Sequence, residues 1–437
     1  MHKNINIISD NYLCSNCGAC YSICPKDAVE FKSTNIGRLY ATTNDKCISC
    51  GLCMKVCPSF KIKPAPTIED ILGCTSELYT GVCLDQKLYT NGQSGGLCAT
   101  TLKYLFETNK IDAAIVCKST YGFPHPKVES IIIEDARELM AVQKSCYTPV
   151  PLLKSLKHTY KYNRLALVGL PCHIQGARKL ANISPKFQNI KYYIGLICDR
   201  TLTAAIFDII HSNIKSQVPY KINWRHKGYT RNGVFHQYHN APLVVADENG
   251  NEHIFTKSHR ISLKEFLTPP RCRVCYDKIN TDADIVLGDP WRLESTDTKY
   301  GESLILTRTK LGSELIKSMI ENNIVRLKKR RTEDIITSQQ LCKRQKESSC
   351  FFKALLNLRK SNVLNQIFSV KNNQDVVAVE LIMEYEKKIE DFTTAECLSK
   401  EDIIKKGNYI IRRYKNREKM RNCLLFRIVN KIKNLIQ

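Results

Sequence analysis

Eight cysteines near the start of the chain fall into two copies of one pattern: Cys14, Cys17, Cys20 and Cys24 followed by Pro25, then Cys47, Cys50, Cys53 and Cys57 followed by Pro58. In the run CxxCxxCxxxCP three thiolates wrap a compact loop round one corner of a cubane while the fourth must come from elsewhere. Two tandem copies therefore predict two 4Fe-4S clusters with exchanged fourth ligands. Cys14, Cys17, Cys20 and Cys57 then hold one, and Cys47, Cys50, Cys53 and Cys24 the other. Each proline stops the helix begun at its cysteine and turns the chain away. Structural zinc is the alternative for such thiols, but it prefers two CxxC pairs across a longer spacer. The chemistry expected is passage of single electrons between neighbouring clusters.

Two further constellations carry chemistry. Cys172 lies just past a strand in Gly169-Leu170-Pro171-Cys172, Cys198 ends the strand YYIGLIC, and Cys272 and Cys275 form a CxxC in PPRCRVCYDK. Strand ends in an α/β sheet converge on one edge, so these four thiols suit a third cluster; a zinc cage and, for Cys172 and Cys198, plain buried cysteines are the alternatives. The loop Asn91-Gly92-Gln93-Ser94-Gly95-Gly96 runs straight into an apolar helix. Backbone N–H groups at such a helix start suit a phosphate or pyrophosphate, although a tight turn before a helix explains the same residues. His173 follows Cys172 directly, whereas His226, His236, His239 and His259 read as surface or packing residues. No Walker loop, GxGxxG or paired carboxylates stand out.

These groups must be positioned by more than one domain, because 437 residues exceed one compact unit and 43% apolar content can build real cores. Short strands at Ala28 to Phe31 and Tyr40 to Thr42 give the first 63 residues the shape of a bacterial-type ferredoxin module. KIKPAPTIED then reads as a linker. Residues 70–150 mix strands (Leu78 to Val82, Ala113 to Cys117, Ser130 to Ile133) with a helix from Leu97 to Glu107. Residues 151–330 follow with a strand at Leu165 to Val168, a helix at Pro171 to Leu180, a strand at Tyr192 to Ile197 and a helix at Leu202 to Ser212. A hairpin about the turn DENG lies between Ile222 and Phe255. The fold class expected is α+β: the ferredoxin module, a mixed α/β core binding flavin and cluster, and a helical basic tail over 331–437.

Charge narrows the partners. There are 66 Lys and Arg against 42 Asp and Glu, a net +24, which three clusters at about two negative charges each lower only to about +18. The field favours anionic partners: acidic electron carriers such as ferredoxin or flavodoxin, phosphate-bearing cofactors, anionic lipid and nucleic acid. From Lys405 to Gln437 an apolar stripe (Ile410, Tyr414, Leu424, Ile428, Ile432, Leu435) runs among basic residues. It reads as a helix docking on an anionic membrane surface, or as one covering the protein's own core or an oligomer partner. Sparse aromatic interleaving and no recognition motif argue against nucleic acid. No apolar run approaches the roughly 20 residues needed to span a bilayer, and the first residues lack an apolar signal stretch. A cytoplasmic protein with reduced thiols is expected, peripheral at most to the inner face of the membrane.

Taken in order, the double cysteine run, QSGGLCATTL, QKSCY, VGLPCHIQGARKL, IGLIC, WRHKGYTRNG and RCRVCYDKINTDADIVLGDPW resemble the family of coenzyme F420 hydrogenase/dehydrogenase beta subunits from Cys14 to about Lys310. The resemblance implies an iron-sulphur flavoprotein with FAD held by Ser94, Gly95 and Gly96, a third cluster on Cys172, Cys198, Cys272 and Cys275, and electrons exchanged with a two-electron partner at the flavin. This chain departs from the family pattern. Ser145-Cys146-Tyr147 stands where members have Ser-Lys-Tyr, which leaves Lys144 as the nearest basic group and Lys144 and Ser145 as cofactor-contact candidates. Asp199 replaces the usual His after Cys198, and Pro290 replaces an aromatic in GDPW. Tyr147 and Asp199 are the catalytic candidates that the resemblance offers, Asp199 as a proton relay. Arg225 and Lys227 are candidate anion binders, with a solvated face as their ordinary reading. The resemblance leads to an oxidoreductase acting on a small-molecule or sugar-linked substrate in surface-polysaccharide or small-metabolite synthesis. The alternatives are an electron-transfer subunit without its own substrate and F420 chemistry proper.

Overall fold

The computed structural model describes residues 4–34, 37–60, 62, 67–294, 299–358 and 405. The N-terminal module is built by local rules. Strands β1 (Val29–Ser33) and β2 (Leu39–Thr43) pair antiparallel, with Val29 opposite Thr43. Two five-residue helices, Ala19–Ile23 and Leu52–Val56, each begin after a glycine in the left-handed region and end at Cys24 and Cys57, whose extended backbone leads into the prolines. Ile5, Ile8, Leu13, Val29, Ala41 and Met54 close a small apolar core that also contains Cys20, Cys53 and Cys57.

The remaining strands, in chain order, are β3 (Glu77–Cys83), β4 (Ala113–Thr120), β5 (Lys127–Ile133), β6 (Leu165–Gly169), β7 (Ile190–Leu196), β8 (Tyr220–Asn223), β9 (Tyr229–Arg231), β10 (Val234–His236), β11 (Leu243–Asp247), β12 (Glu252–Phe255), β13 (Ile285–Gly288), β14 (Ser303–Thr307) and β15 (Val325–Arg330). Eight of them form one mixed sheet in the order β15-β3-β14-β13-β7-β6-β4-β5, with β4, β6, β7 and β13 parallel to their neighbours in that run. Its strands are apolar on both faces, as a sheet covered on both sides requires. Ala113 and Ile115 turn toward the face covered by Leu152–His158 and the helix Pro171–Ile183, whereas Ala114 and Val116 turn toward the helices Leu97–Glu107 and Lys310–Glu321. Strands from either side of residue 150 share this sheet, so the segments 70–150 and 151–330 are interleaved. A third layer packs the sheet β12-β11-β8 and the helices Ala205–Ile214 and Lys257–Leu267 about the fully buried Trp224.

The ferredoxin module sits on the face that carries the helix Pro171–Ile183. The Leu153 amide donates to the Cys17 carbonyl at 2.9 Å, and Ser22 Oγ donates to the Leu153 carbonyl. A Cβ on Gly18 would meet Lys154 N at 2.8 Å and the Pro151 carbonyl at 2.9 Å, so only glycine allows this approach. The basic tail expected over 331–437 is described as helices Asp334–Gln339 and Leu341–Leu358; the apolar stripe from Ile410 to Leu435 lies outside the described residues. Among the described residues no helix is long and apolar enough to cross a membrane.

Candidate electron-transfer site

The eight N-terminal cysteines gather as the exchanged-ligand pattern requires. Cys24, from the first run, lines one pocket with Cys47, Cys50 and Cys53 of the second. Cys57 lies within electrostatic reach of Cys14, Cys17 and Cys20. Burial pushes the thiols of Cys17 and Cys53 up to about 11 and that of Cys57 up to about 12, and neighbouring sulphurs add to the rise. Such thiols hold their protons until a metal displaces them. Backbone amides already point at the sulphurs: Ala41 N–H at Cys14 (3.4 Å), Ala28 at Cys24 (3.3 Å) and Ser59 at Cys57 (3.4 Å). Amide bonds to sulphur stabilise the charged cluster and tune its potential. Among the described residues no three His, Cys, Asp or Glu side chains close on one point as a single metal ion requires; a cubane sets its thiolates further apart than the roughly 2.3 Å Zn–S bonds of a zinc cage allow.

A second gathering lies deeper. β6, β7 and β13 are adjacent and parallel, so the chain leaving β6 delivers Cys172 at the start of the helix Pro171–Ile183, and the chain leaving β7 delivers Cys198. The Cys198 amide donates to the Lys278 carbonyl at 2.9 Å, which draws the Cys272–Cys275 segment alongside. Cys172 is raised far above the usual thiol range, first by burial and then by Cys17, Cys198, Cys272 and Cys275; burial pushes Cys198 up to about 12. Cys17 of the ferredoxin module thus faces Cys172 of the core. Arg271, 6% exposed, lies between the two gatherings: its Nε donates to Ser59 Oγ at 2.6 Å, and Cys275, Cys172, Cys272 and Cys57 surround its charge. Lys179 donates to the Cys57 carbonyl at 2.8 Å. His173 is held neutral. Its Nδ1 accepts from the Leu170 amide and its Nε2 meets the Val150 carbonyl, each at 3.2 Å, and burial pushes its pKa down to about 4. Its role there is to fix the helix start.

The third feature is a basic cleft of about 390 Å³, whose lining includes Lys87, Asn91, Lys144, Arg225, His226 and Lys227 and no carboxylate. Arg225 and Lys227 are 4% and 7% exposed, which corrects the expectation of a solvated face. The Arg225 guanidinium pairs with Asp289 at 2.5 Å and stacks on Tyr238 and Trp291, each 5.1 Å away, so WRHKG and GDPW meet here. Lys227 Nζ donates to the carbonyls of Tyr89, at 2.6 Å, and Ser94. The Ser-Gly-Gly loop is engaged from within: Ser94 Oγ lies 2.8 Å from Ser303 Oγ, and the Gly95 amide donates to that same oxygen at 2.9 Å. A Cβ on Gly96 would meet Cys83 Sγ at 2.6 Å, and its φ is +75°, so packing alone requires this glycine. Lys144 has φ +86°, a strained conformation held at the cleft wall, and the next amide, of Ser145, donates to Gln93 Oε1 at 3.3 Å. Burial and then the Lys144 charge keep the His226 imidazole below its usual range.

Comparison with known proteins gives this arrangement a setting. Two sequence profiles of the coenzyme F420 hydrogenase/dehydrogenase beta subunit match, the N-terminal one over residues 78–157 and the C-terminal one over 162–333, and a 4Fe-4S dicluster domain matches 13–60. The chain belongs to the family of F420 hydrogenase/dehydrogenase beta subunits. It is 27% identical over 337 residues to a coenzyme F420-dependent sulfite reductase of Methanocaldococcus jannaschii, covering 72% of this chain and 47% of that protein, so the chain spans about half the length of this relative. It is 25% identical over 355 residues to one of the subunits of F(420)H(2) dehydrogenase of Methanosarcina mazei, covering 74% of this chain and 92% of that one. A chain of the F420-reducing [NiFe] hydrogenase complex from Methanosarcina barkeri shares the fold, with a TM-score of 0.51 at 20% identity over 68% of this chain and 97% of its own. In this member of the family a 4Fe-4S module stands ahead of the α/β core.

The catalytic candidates fall apart. Tyr147 packs edge-on against Trp224, with ring centres 5.6 Å apart, beside the third layer. Asp199 lies next to the deeper cysteines, where Lys264, Lys278 (3.5 Å) and Arg344 (4.0 Å) surround it. Three cations favour its carboxylate form and suit it to charge balance rather than to proton donation. Sequence reasoning missed Arg271, Lys87 and the Arg225–Asp289 pair. The basic residues flanking the CxxC in PPRCRVC were a usable signal for Arg271; nothing local marks Lys87.

Proposed function

We propose that the chain is an electron-transfer subunit that passes single electrons between a low-potential partner and an acceptor at the basic cleft, within a multi-subunit assembly like those its relatives' names describe. The observation that carries this reading is the unbroken series of thiols from exposed Cys50, through buried Cys20 and Cys57, to Cys172. Bound 4Fe-4S clusters supply reversible one-electron transfer. Cys14, Cys17, Cys20 and Cys57 would hold the inner N-terminal cluster, Cys24, Cys47, Cys50 and Cys53 the outer, and Cys172, Cys198, Cys272 and Cys275 the third. The chain's own part is to keep these groups dry, aim amides at the sulphurs and set Arg271 between two of the sites. Lys26 and Ile48 border the outer pocket, and Ile48 is 59% exposed, which suits contact with an acidic electron carrier.

FAD in the basic cleft is the finer part of the proposal. The volume lies within the roughly 300–1,000 Å³ of cofactor sites, and Lys87, Lys144 and Arg225 offer cations to a pyrophosphate. Because the groups of Ser94, Gly95 and Gly96 are already bonded or packed, the cleft-lining residues are better placed for this role. The test is anaerobic reduction with dithionite followed by rapid mixing with oxidised ferredoxin. Re-oxidation of the iron-sulphur chromophore is expected; a chromophore that ferredoxin leaves reduced overturns the reading.

A further inference from the structure

Cys117 and Cys146 belong to none of the cluster-ligand sets, yet the two thiols meet. Cys117 lies on β4 past the point where β4 leaves β6, opposite Ser130 of β5. Cys146 lies in the loop that walls the basic cleft, two residues beyond Lys144 and next to Ser145, which is tied to Gln93. The Cys117 thiol is within hydrogen-bonding reach of the Cys146 sulphur, and Thr148 Oγ1 lies 3.2 Å from that sulphur on its other side. Both cysteines are free and half-buried. This is the layout of an asymmetric redox dithiol: one sulphur with two hydrogen-bond partners, the other its donor. The Cys117 hydrogen bond, ahead of the Thr148 bonds, brings Cys146 down to about 7 despite burial, while Cys117 is raised far above the usual range. Near neutral pH Cys146 is the nucleophile and Cys117 keeps its proton.

We propose that Cys117 and Cys146 form a redox-active pair that reduces a small anionic disulfide drawn into the basic cleft. The Cys146 thiolate attacks one sulphur of the disulfide, its S–S bond breaks, and the first half leaves as a thiolate that takes up a proton. Cys117 then gives up its proton, attacks Cys146 Sγ and releases the second half as a thiol, which leaves a Cys117–Cys146 disulfide. One disulfide is reduced to two thiols and one dithiol is oxidised, so atoms and electrons balance. Return to the dithiol takes two electrons and two protons. The electrons would come from the iron-sulphur chain, and this last step alone rests on the proposed function. The cleft cations Lys87 and Lys144 select for a carboxylate- or phosphate-bearing disulfide.

The test treats anaerobically purified protein with oxidised glutathione, quenches in acid, alkylates the remaining thiols and maps peptides by mass spectrometry. The expected result is loss of alkylation at both Cys117 and Cys146 and a peptide that links them. In Cys117→Ser, Cys146 should be trapped as a glutathione adduct, whereas Cys146→Ser should leave Cys117 unmodified. Cystamine, a cationic disulfide, should react more slowly than oxidised glutathione. If the wild-type protein yields no linked peptide, the pair is not redox-active and the proposal falls, whether or not the variants fold. Equal or faster reaction with cystamine overturns the assignment of an anionic substrate. A linked peptide that dithionite-reduced protein does not reopen would remove the supply of electrons from the clusters and leave the dithiol chemistry standing.

Discussion

The thiol chain and the basic cleft are assembled by opposite means. The twelve cysteines reach their places through local loops, two repeated runs and the ends of neighbouring parallel strands, and their sulphurs face buried, amide-lined surroundings. The cleft draws Lys87, Lys144, Arg225 and Lys227 from three separate segments and holds two of them by distant partners: Asp289 for Arg225, and the carbonyls of Tyr89 and Ser94 for Lys227. One region handles charge by excluding water from sulphur, the other by concentrating cations at a surface. An electron carrier with a separate anion site needs both, and they should fail separately when changed.

The largest expected effect breaks the thiol side. Cys20→Ser removes a ligand at the heart of the ferredoxin core and should cost a whole cluster, about four irons per chain, measured by iron and acid-labile sulphide analysis. On the cleft side, Arg225→Ala strands the half-buried carboxylate of Asp289. Breaking a buried pair in this way costs about 3–5 kcal/mol, read by denaturant unfolding, with iron content unchanged; loss of iron as well would mean that the two regions are one cooperative unit. Gly95→Ala drives a Cβ to 2.4 Å from the Gly81 carbonyl and 2.6 Å from Ser303 N, both backbone atoms. A destabilisation of about 3 kcal/mol is expected, visible as a lowered melting temperature. Lys227→Met keeps the stem and removes the charge, so about 1–2 kcal/mol of stability and most of the thermal shift produced by inorganic pyrophosphate should be lost. An undiminished pyrophosphate shift in this variant would remove Lys227 from anion binding.

The same contrast explains what could be read in advance. The helix Leu97–Glu107 starts where the sequence predicts because Gly96, in the left-handed region, sets its first turn. The helix expected from Leu202 begins instead at Ala205, since the Leu202 and Thr203 amides donate to the carbonyls of Tyr147 and Leu267, at 2.7 and 2.8 Å, and are thereby withheld from helix geometry. Cysteine spacing names its own chemistry because ligand geometry is local. Arg225 and Lys227 look like the polar face of a strand region, since their partners lie 64 and 138 residues away along the chain and pattern cannot register them. The interleaving of β3, β14 and β15 in one sheet has the same cause: strand order is a long-range property. Arg271 was hidden by its neighbours, overshadowed by the CxxC it adjoins.

The account stands most directly on the deeper cysteine group as the continuation of the ferredoxin path. Iron and acid-labile sulphide should be counted in anaerobically purified protein and in Cys272→Ser, with low-temperature electron paramagnetic resonance of both after reduction. The expected result is about twelve irons falling to about eight, with the two N-terminal signals kept and a third lost. About eight irons in both proteins, with identical spectra, would contradict it.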